Sequence, residues 1–269
     1  MNRNHFATWV LMACPLAAGY VIAVLGDRRP SSGLAAKLVA FFEWFGTSAV
    51  WVGVAGVVMT LALAVSASRS GLLAFAASLA ASAWLARARL TRKARSLGAI
   101  AVIALVAIVA ASVNVQPLLS RVDETLAVGA GGRPLIWQET LRLIRAFWLT
   151  GTGLGSYQTA MIVYQQTDRT VFFNQAHNQY LQLFTEGGVL LTVPVIAVVV
   201  AFIRLFRTRL TEDRSSSVWL RIGAGTAILA VAVQGFWETG LRIPANGLLL
   251  GIAAAVAVHR PAGSRVSRE

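Results

Sequence analysis

Long apolar runs dictate what this chain can fold into. Seven segments, 6–25, 48–67, 71–86, 97–113, 179–203, 222–238 and 243–258, carry few or no charges and approach the ~20 residues that cross a bilayer as a helix. Within hydrocarbon every backbone N–H and C=O must be satisfied inside the protein, and a helix does this within a single segment. With 57% of residues hydrophobic and 13% charged, no stretch has the composition of a separate soluble domain. The expected fold is therefore all-α: a polytopic transmembrane helical bundle of about seven spans, with residues 1–269 forming one integral membrane domain.

The net charge of +13 raises the question of nucleic acid, but the cations lie in short connections between apolar runs rather than on one soluble face. Membrane topology accounts for them. Arg87, Arg89, Arg92, Lys93 and Arg95 fall between the third and fourth runs, and Arg204, Arg207, Arg209, Arg214 and Arg221 between the fifth and sixth. The positive-inside rule makes both connections cytoplasmic. Arg28, Arg29 and Lys37, and the tail with Arg260, Arg265 and Arg268, then share that side. Alternation puts the turn at Ser68, the loop 114–176 and the link around Arg242 outside, together with Met1. An outside start with only Arg3 before the first run points to further spans upstream, unless the aromatic segment 34–45 itself crosses. The residues before Cys14 loosely resemble a lipoprotein processing site, yet the chain stays apolar over 15–25, so a retained helix is expected. A single cysteine also excludes an intramolecular disulfide.

The loop 114–176 is the one extended polar stretch. Within GRPLIWQETLRLIRAFWLTG, Leu135, Ile136, Thr140, Leu143, Ile144, Phe147 and Trp148 recur at helical spacing, while Gln138, Glu139, Arg142 and Arg145 occupy other sectors. This predicts an amphipathic helix at the membrane surface, with Trp137 and Trp148 as interfacial anchors. Pro134 suits its first turn and Gly151 its stop. Arg133 sits in GAGGRP just before it, where flexible backbone can bring a guanidinium and free N–H groups to an anion. The loop ends in AHNQYLQLFTEGG, which places His177 where the chain enters a span.

The ordered set SRSG at Ser68, GRPLIW at Gly132, GTGLGSY at Gly151 and AHNQYLQLFTEGG at Ala176 resembles the O-antigen ligase and O-antigen polymerase family, over about residue 48 to the end. Members of that family are larger, so the chain resembles the C-terminal catalytic portion of one. The resemblance implies transfer of a glycan from undecaprenyl pyrophosphate to an acceptor hydroxyl on a lipid A core, a glycan or a protein. It places this chemistry at the outer face of the bacterial inner membrane, with no cofactor and no metal. It also implies that Arg69 and Arg133 bind the pyrophosphate and that His177 is the catalytic residue.

Those residue types suit the chemistry. A guanidinium binds phosphate oxygens through a planar fork and stays ionised near lipid. An imidazole, with an ordinary pKa of about 6.5, accepts a proton near neutrality. Bland roles stand beside these: Arg69 as a turn residue that snorkels, Arg133 as a solvated loop cation, His177 as a helix cap with Asn178 beside it. Glu186 falls on the opposite helical face from His177, which favours a structural hydrogen bond. Glu238 and Arg242, four apart, are expected to pair at the outer end of the sixth run, with Arg242 available as a third cation.

Other motifs fail. The glycines of GTGLGS follow an amphipathic helix rather than a strand, which argues against a dinucleotide site, and no His/Cys/Asp/Glu cluster has metal-ligand spacing. The compact loop leans the acceptor reading toward a ligase over a polymerase. Outside that class stand a transporter or flippase of lipid-linked sugars, for which paired halves are absent, and an inactive truncated subunit.

Overall fold

A computed structural model describes residues 3–26, 47–66, 68–92, 96, 133–166, 169 and 172–260. The expected fourth run at 97–113, the aromatic segment 34–45 and the glycines preceding Arg133 lie outside the described residues.

All regular structure among the described residues is helical, as the apolar runs require. The helices are α1 (Arg3–Gly26), α2 (Ser48–Val65), α3 (Arg69–Ala86), α4 (Arg133–Ala146), α5 (Tyr157–Tyr164), α6 (Gln179–Glu212), α7 (Ser217–Gln234) and α8 (Pro244–Val258). Of these, α1, α2, α3, α6 and α7 are long and apolar enough to cross a membrane, and α8 is apolar but shorter. The sixth run ends earlier than the hydropathy reading placed it. Helix α7 stops at Gln234, so Glu238 lies in the turn beyond and not inside a span.

Helix α1 packs most extensively on α7, and α7 in turn on α3. Small residues allow the α1/α7 crossing. A Cβ on Gly223 would lie 2.2 Å from the Pro15 carbonyl oxygen, and one on Gly19 would lie 2.5 Å from that of Trp219. Close backbone approach through small residues is how helices associate where hydrocarbon removes the usual hydrophobic drive. Ala7, Val10, Leu11, Cys14, Leu63, Ala74, Phe75 and Ala230 form the core of this bundle.

The bundle has two polar ends. At one, the Asp213 carboxylate accepts from Arg221 Nε and Nη2 at 3.1 and 2.9 Å, and Arg221 also donates to the Ala257 and His259 carbonyls. Arg89, in the turn after α3, reaches across to the Leu210 and Asp213 carbonyls. The two arginine-rich connections therefore meet at one end, as the charge pattern requires. Burial works against the Asp213 charge, but hydrogen bonds from Ser215, Arg221 and Ser217 outweigh it and hold the carboxyl below the usual range. The stability it contributes is thus complete above the unfolded-state value of about 3.9 and is lost as pH falls through the lower folded-state value. Arg221 and Asp213 are both buried, so Arg221→Ala strands a buried carboxylate and is expected to destabilise by about 3–5 kcal/mol. Thermal unfolding in detergent checks this, with Ser215→Ala showing a much smaller loss.

Candidate active site

The other polar end gathers the sequence-selected residues. Helix α4 forms as its periodicity predicts, burying Ile136, Thr140 and Leu143. With Tyr157, Met161, Phe173 and Ala176, the two apolar side chains make a small core that joins α4, α5 and the segment before α6. The Tyr157 hydroxyl bonds Thr140 at 2.7 Å, and burial pushes the phenol up to about 12. The Trp137 indole donates to the Ala176 carbonyl at 3.0 Å, tying α4 to the residue before His177. One expectation for α4 needs correction. Glu139, assigned to a polar sector, is buried and accepts from Arg142 at 2.9 Å and from the Gln166 N–H. Helical period separates sectors correctly but does not reveal that α5 and the residues after it cover one of them.

Helix α6 begins two residues after His177. Asn178 caps it, accepting from the Tyr180 and Leu181 N–H groups at 3.0 Å each. Gln182 accepts from the Ala176 N–H at 2.8 Å and donates to Glu186 at 2.7 Å. Glu186 also takes the Gly155 N–H at 2.9 Å. Both Asn178 and Glu186 thus bind backbone or amide partners that shape the loop. At Gly188 the helix breaks, with φ 57 and ψ −161. The GTGLG loop fills the break: Thr152 and Gly153 donate to the Thr185 and Glu186 carbonyls, and Val189 and Leu190 donate to Trp148 and Leu149. Backbone freed by a broken apolar helix must find such partners, and the close approach needs glycine, since a Cβ on Gly151 would lie 2.4 Å from the Glu186 carbonyl oxygen.

These contacts hold His177 in an uncommon backbone state, φ 48, where a non-glycine residue is strained. Its Nδ1 points at Glu238 Oε2, 3.8 Å away. Both atoms are buried and neither has a hydrogen-bond partner among the described residues. The His177 side chain retains 28% exposure. The other oxygen, Glu238 Oε1, accepts from Arg133 Nη2 at 2.5 Å and from Asn4 Nδ2 at 2.6 Å. Asn4 accepts in turn from the Ser68 hydroxyl at 2.8 Å, and Ser68 caps α3 one residue before Arg69. Arg133, His177 and the turn that carries Arg69 are therefore joined through Glu238 and Asn4.

The expected Glu238–Arg242 pair does not form. It presumed a continuous helix, whereas residues 240–242 are a 3₁₀ turn, and the i,i+4 register is lost. Arg242 is exposed at this same end. Glu238 and Asn4 were missed as site residues. The available signal was an acid beside an apolar run, which should face protein or water, but its partners lie 105 and 234 positions away.

Residues 54–196 match the family described as O-antigen ligase, more than half of the chain. The chain belongs to the O-antigen ligase family. Membership makes it a glycosyltransferase-type membrane enzyme of cell-surface polysaccharide biosynthesis, acting on a lipid-linked glycan and an acceptor. The part matched to the O-antigen ligase family contains Arg69, Arg133, His177 and Glu186, while Asn4 and Glu238 reach the same end from outside it. No curated protein matches the chain significantly.

Proposed function

We propose that this member of the family transfers a glycan from undecaprenyl pyrophosphate to an acceptor hydroxyl, by single displacement with inversion, at the outer face of the bacterial inner membrane. The observation that carries the reading is the meeting of Arg133 and His177 at one buried carboxylate, Glu238, at the end of the bundle opposite its arginine-rich connections. Arg69 and Arg133 neutralise the pyrophosphate. His177 Nε2 takes the acceptor proton as the acceptor oxygen bonds to the anomeric carbon. The bond from that carbon to the pyrophosphate oxygen breaks, and undecaprenyl pyrophosphate leaves with the electron pair. A pyrophosphate neutralised by arginines needs no general acid, so a second catalytic carboxyl is unnecessary and the reaction proceeds without a metal. The compact loop favours a ligase, with a lipid A core as acceptor, over a polymerase.

The test is transfer from glycosylated undecaprenyl pyrophosphate to purified lipid A core in proteoliposomes. Product formation with release of undecaprenyl pyrophosphate is expected. Movement of intact donor across the bilayer, with no product on any acceptor, would instead identify a transporter. Arg69→Ala is expected to raise the donor KM about 10- to 100-fold, since a charge-assisted phosphate contact is worth roughly 1.5–3 kcal/mol. An unchanged KM would remove Arg69 from the donor site.

A further inference from the structure

The Glu238 carboxylate is unevenly engaged. Arg133 and Asn4 both donate to Oε1, while Oε2 and His177 Nδ1 face each other without bonding. A buried acceptor beside a buried ring nitrogen, neither bonded among the described residues, is unfavourable as it stands and calls for a physical role. We propose that Glu238 is a positioning residue held by Arg133 in the free protein and handed to His177 when a lipid pyrophosphate claims the arginine, so that the base is assembled only around bound donor. This rests on the donor assigned above.

Three observations support the exchange. First, the Arg133 side chain is 39% exposed while that of Glu238 is 1% exposed, so the guanidinium can swing out and the carboxylate cannot follow. Second, Asn4, anchored through Ser68, keeps its hold on Oε1, so the carboxylate stays in place when Arg133 departs. Third, the loss of Arg133 leaves a buried negative charge in need of a donor, and His177 Nδ1 needs to approach by only about 1 Å to reach hydrogen-bond distance. Once Nδ1–H donates to Oε2, the neutral ring is fixed in the tautomer that carries its basic lone pair on Nε2. The phosphate and the carboxylate compete for one guanidinium, and that competition couples donor occupancy to base competence.

Tautomers are read directly by nitrogen-15 NMR of histidine-labelled full-length protein in lipid nanodiscs, at a pH where imidazole is neutral, with His177 assigned from the His177→Gln spectrum. Adding undecaprenyl pyrophosphate is expected to shift the His177 tautomer ratio at least tenfold toward Nδ1–H. Arg133→Ala should show the shifted ratio with no lipid added, and Glu238→Ala should show no shift when lipid binds. An unchanged ratio in wild type despite bound lipid overturns the exchange and leaves the donor assignment standing. No binding of undecaprenyl pyrophosphate by calorimetry overturns both. The wild-type comparison decides the matter even if either variant fails to fold.

Discussion

Replacing His177 by asparagine is expected to lower glycan transfer by about 10²- to 10⁴-fold, the range of a general base, while undecaprenyl pyrophosphate still binds. Asparagine is the informative substitution because the residue sits at φ 48. Asparagine tolerates that left-handed region, whereas alanine adds backbone strain to the loss of the ring. His177→Ala is expected to lose activity equally and some stability besides. The fall should appear in kcat with donor KM little changed, since the imidazole acts on the acceptor proton and the arginines hold the phosphate. Transfer retained in His177→Asn would exclude the base assignment and leave the residue as the strained entry to α6.

Gly188→Ala is expected to be strongly damaging although it changes no charged residue. The position has φ 57 and ψ −161, a region open almost only to glycine, and an added Cβ would lie 2.4 Å from the Leu149 carbonyl oxygen. Neither obstacle can be relieved by a side-chain rotation, because the obstructing atoms are backbone. Strain and overpacking together amount to roughly 3–5 kcal/mol. The expected outcome is a lower unfolding temperature in detergent and loss of transfer, since the GTGLG loop undocks from α6, the helix that His177 precedes. Gly155→Ala is the control: its φ is 76 but none of the described residues lies within 4 Å of the added methyl. It should lose only about 1–2 kcal/mol. Equal losses in the two variants would show that φ alone matters and that the close approach at Gly188 is accommodated.

Much of the fold is legible in the chain because a bilayer permits few solutions. Apolar length and helical period are local properties, and the hydropathy of α1, α2, α3, α6 and α7 declares them. The amphipathic period of α4, with Pro134 in its first turn, is equally local. The charge pattern predicts that residues 87–92 and 204–214 share one side, and the bonds from Arg89 to the Leu210 and Asp213 carbonyls agree. Arg69, Arg133 and His177 stood out because each lies in a motif. Spacing misleads where it supplies a partner from the same helix: Glu238 bonds Arg133 and Asn4 rather than Arg242, because sequence spacing reports only neighbours along one element.

What the sequence determined by itself is the class of structure and the kinds of chemical group available: helices of bilayer length, cations gathered into connections, and one histidine at the mouth of a span. Only the tertiary structure decided which groups meet. Asn4, Ser68, Arg133, His177 and Glu238 come from five separated stretches, brought together by the packing of α1 against α7 and by the docking of the GTGLG loop on the break at Gly188. Helix formation is settled within a few residues by backbone satisfaction, whereas a shared carboxylate depends on how distant surfaces pack, and no local period encodes that.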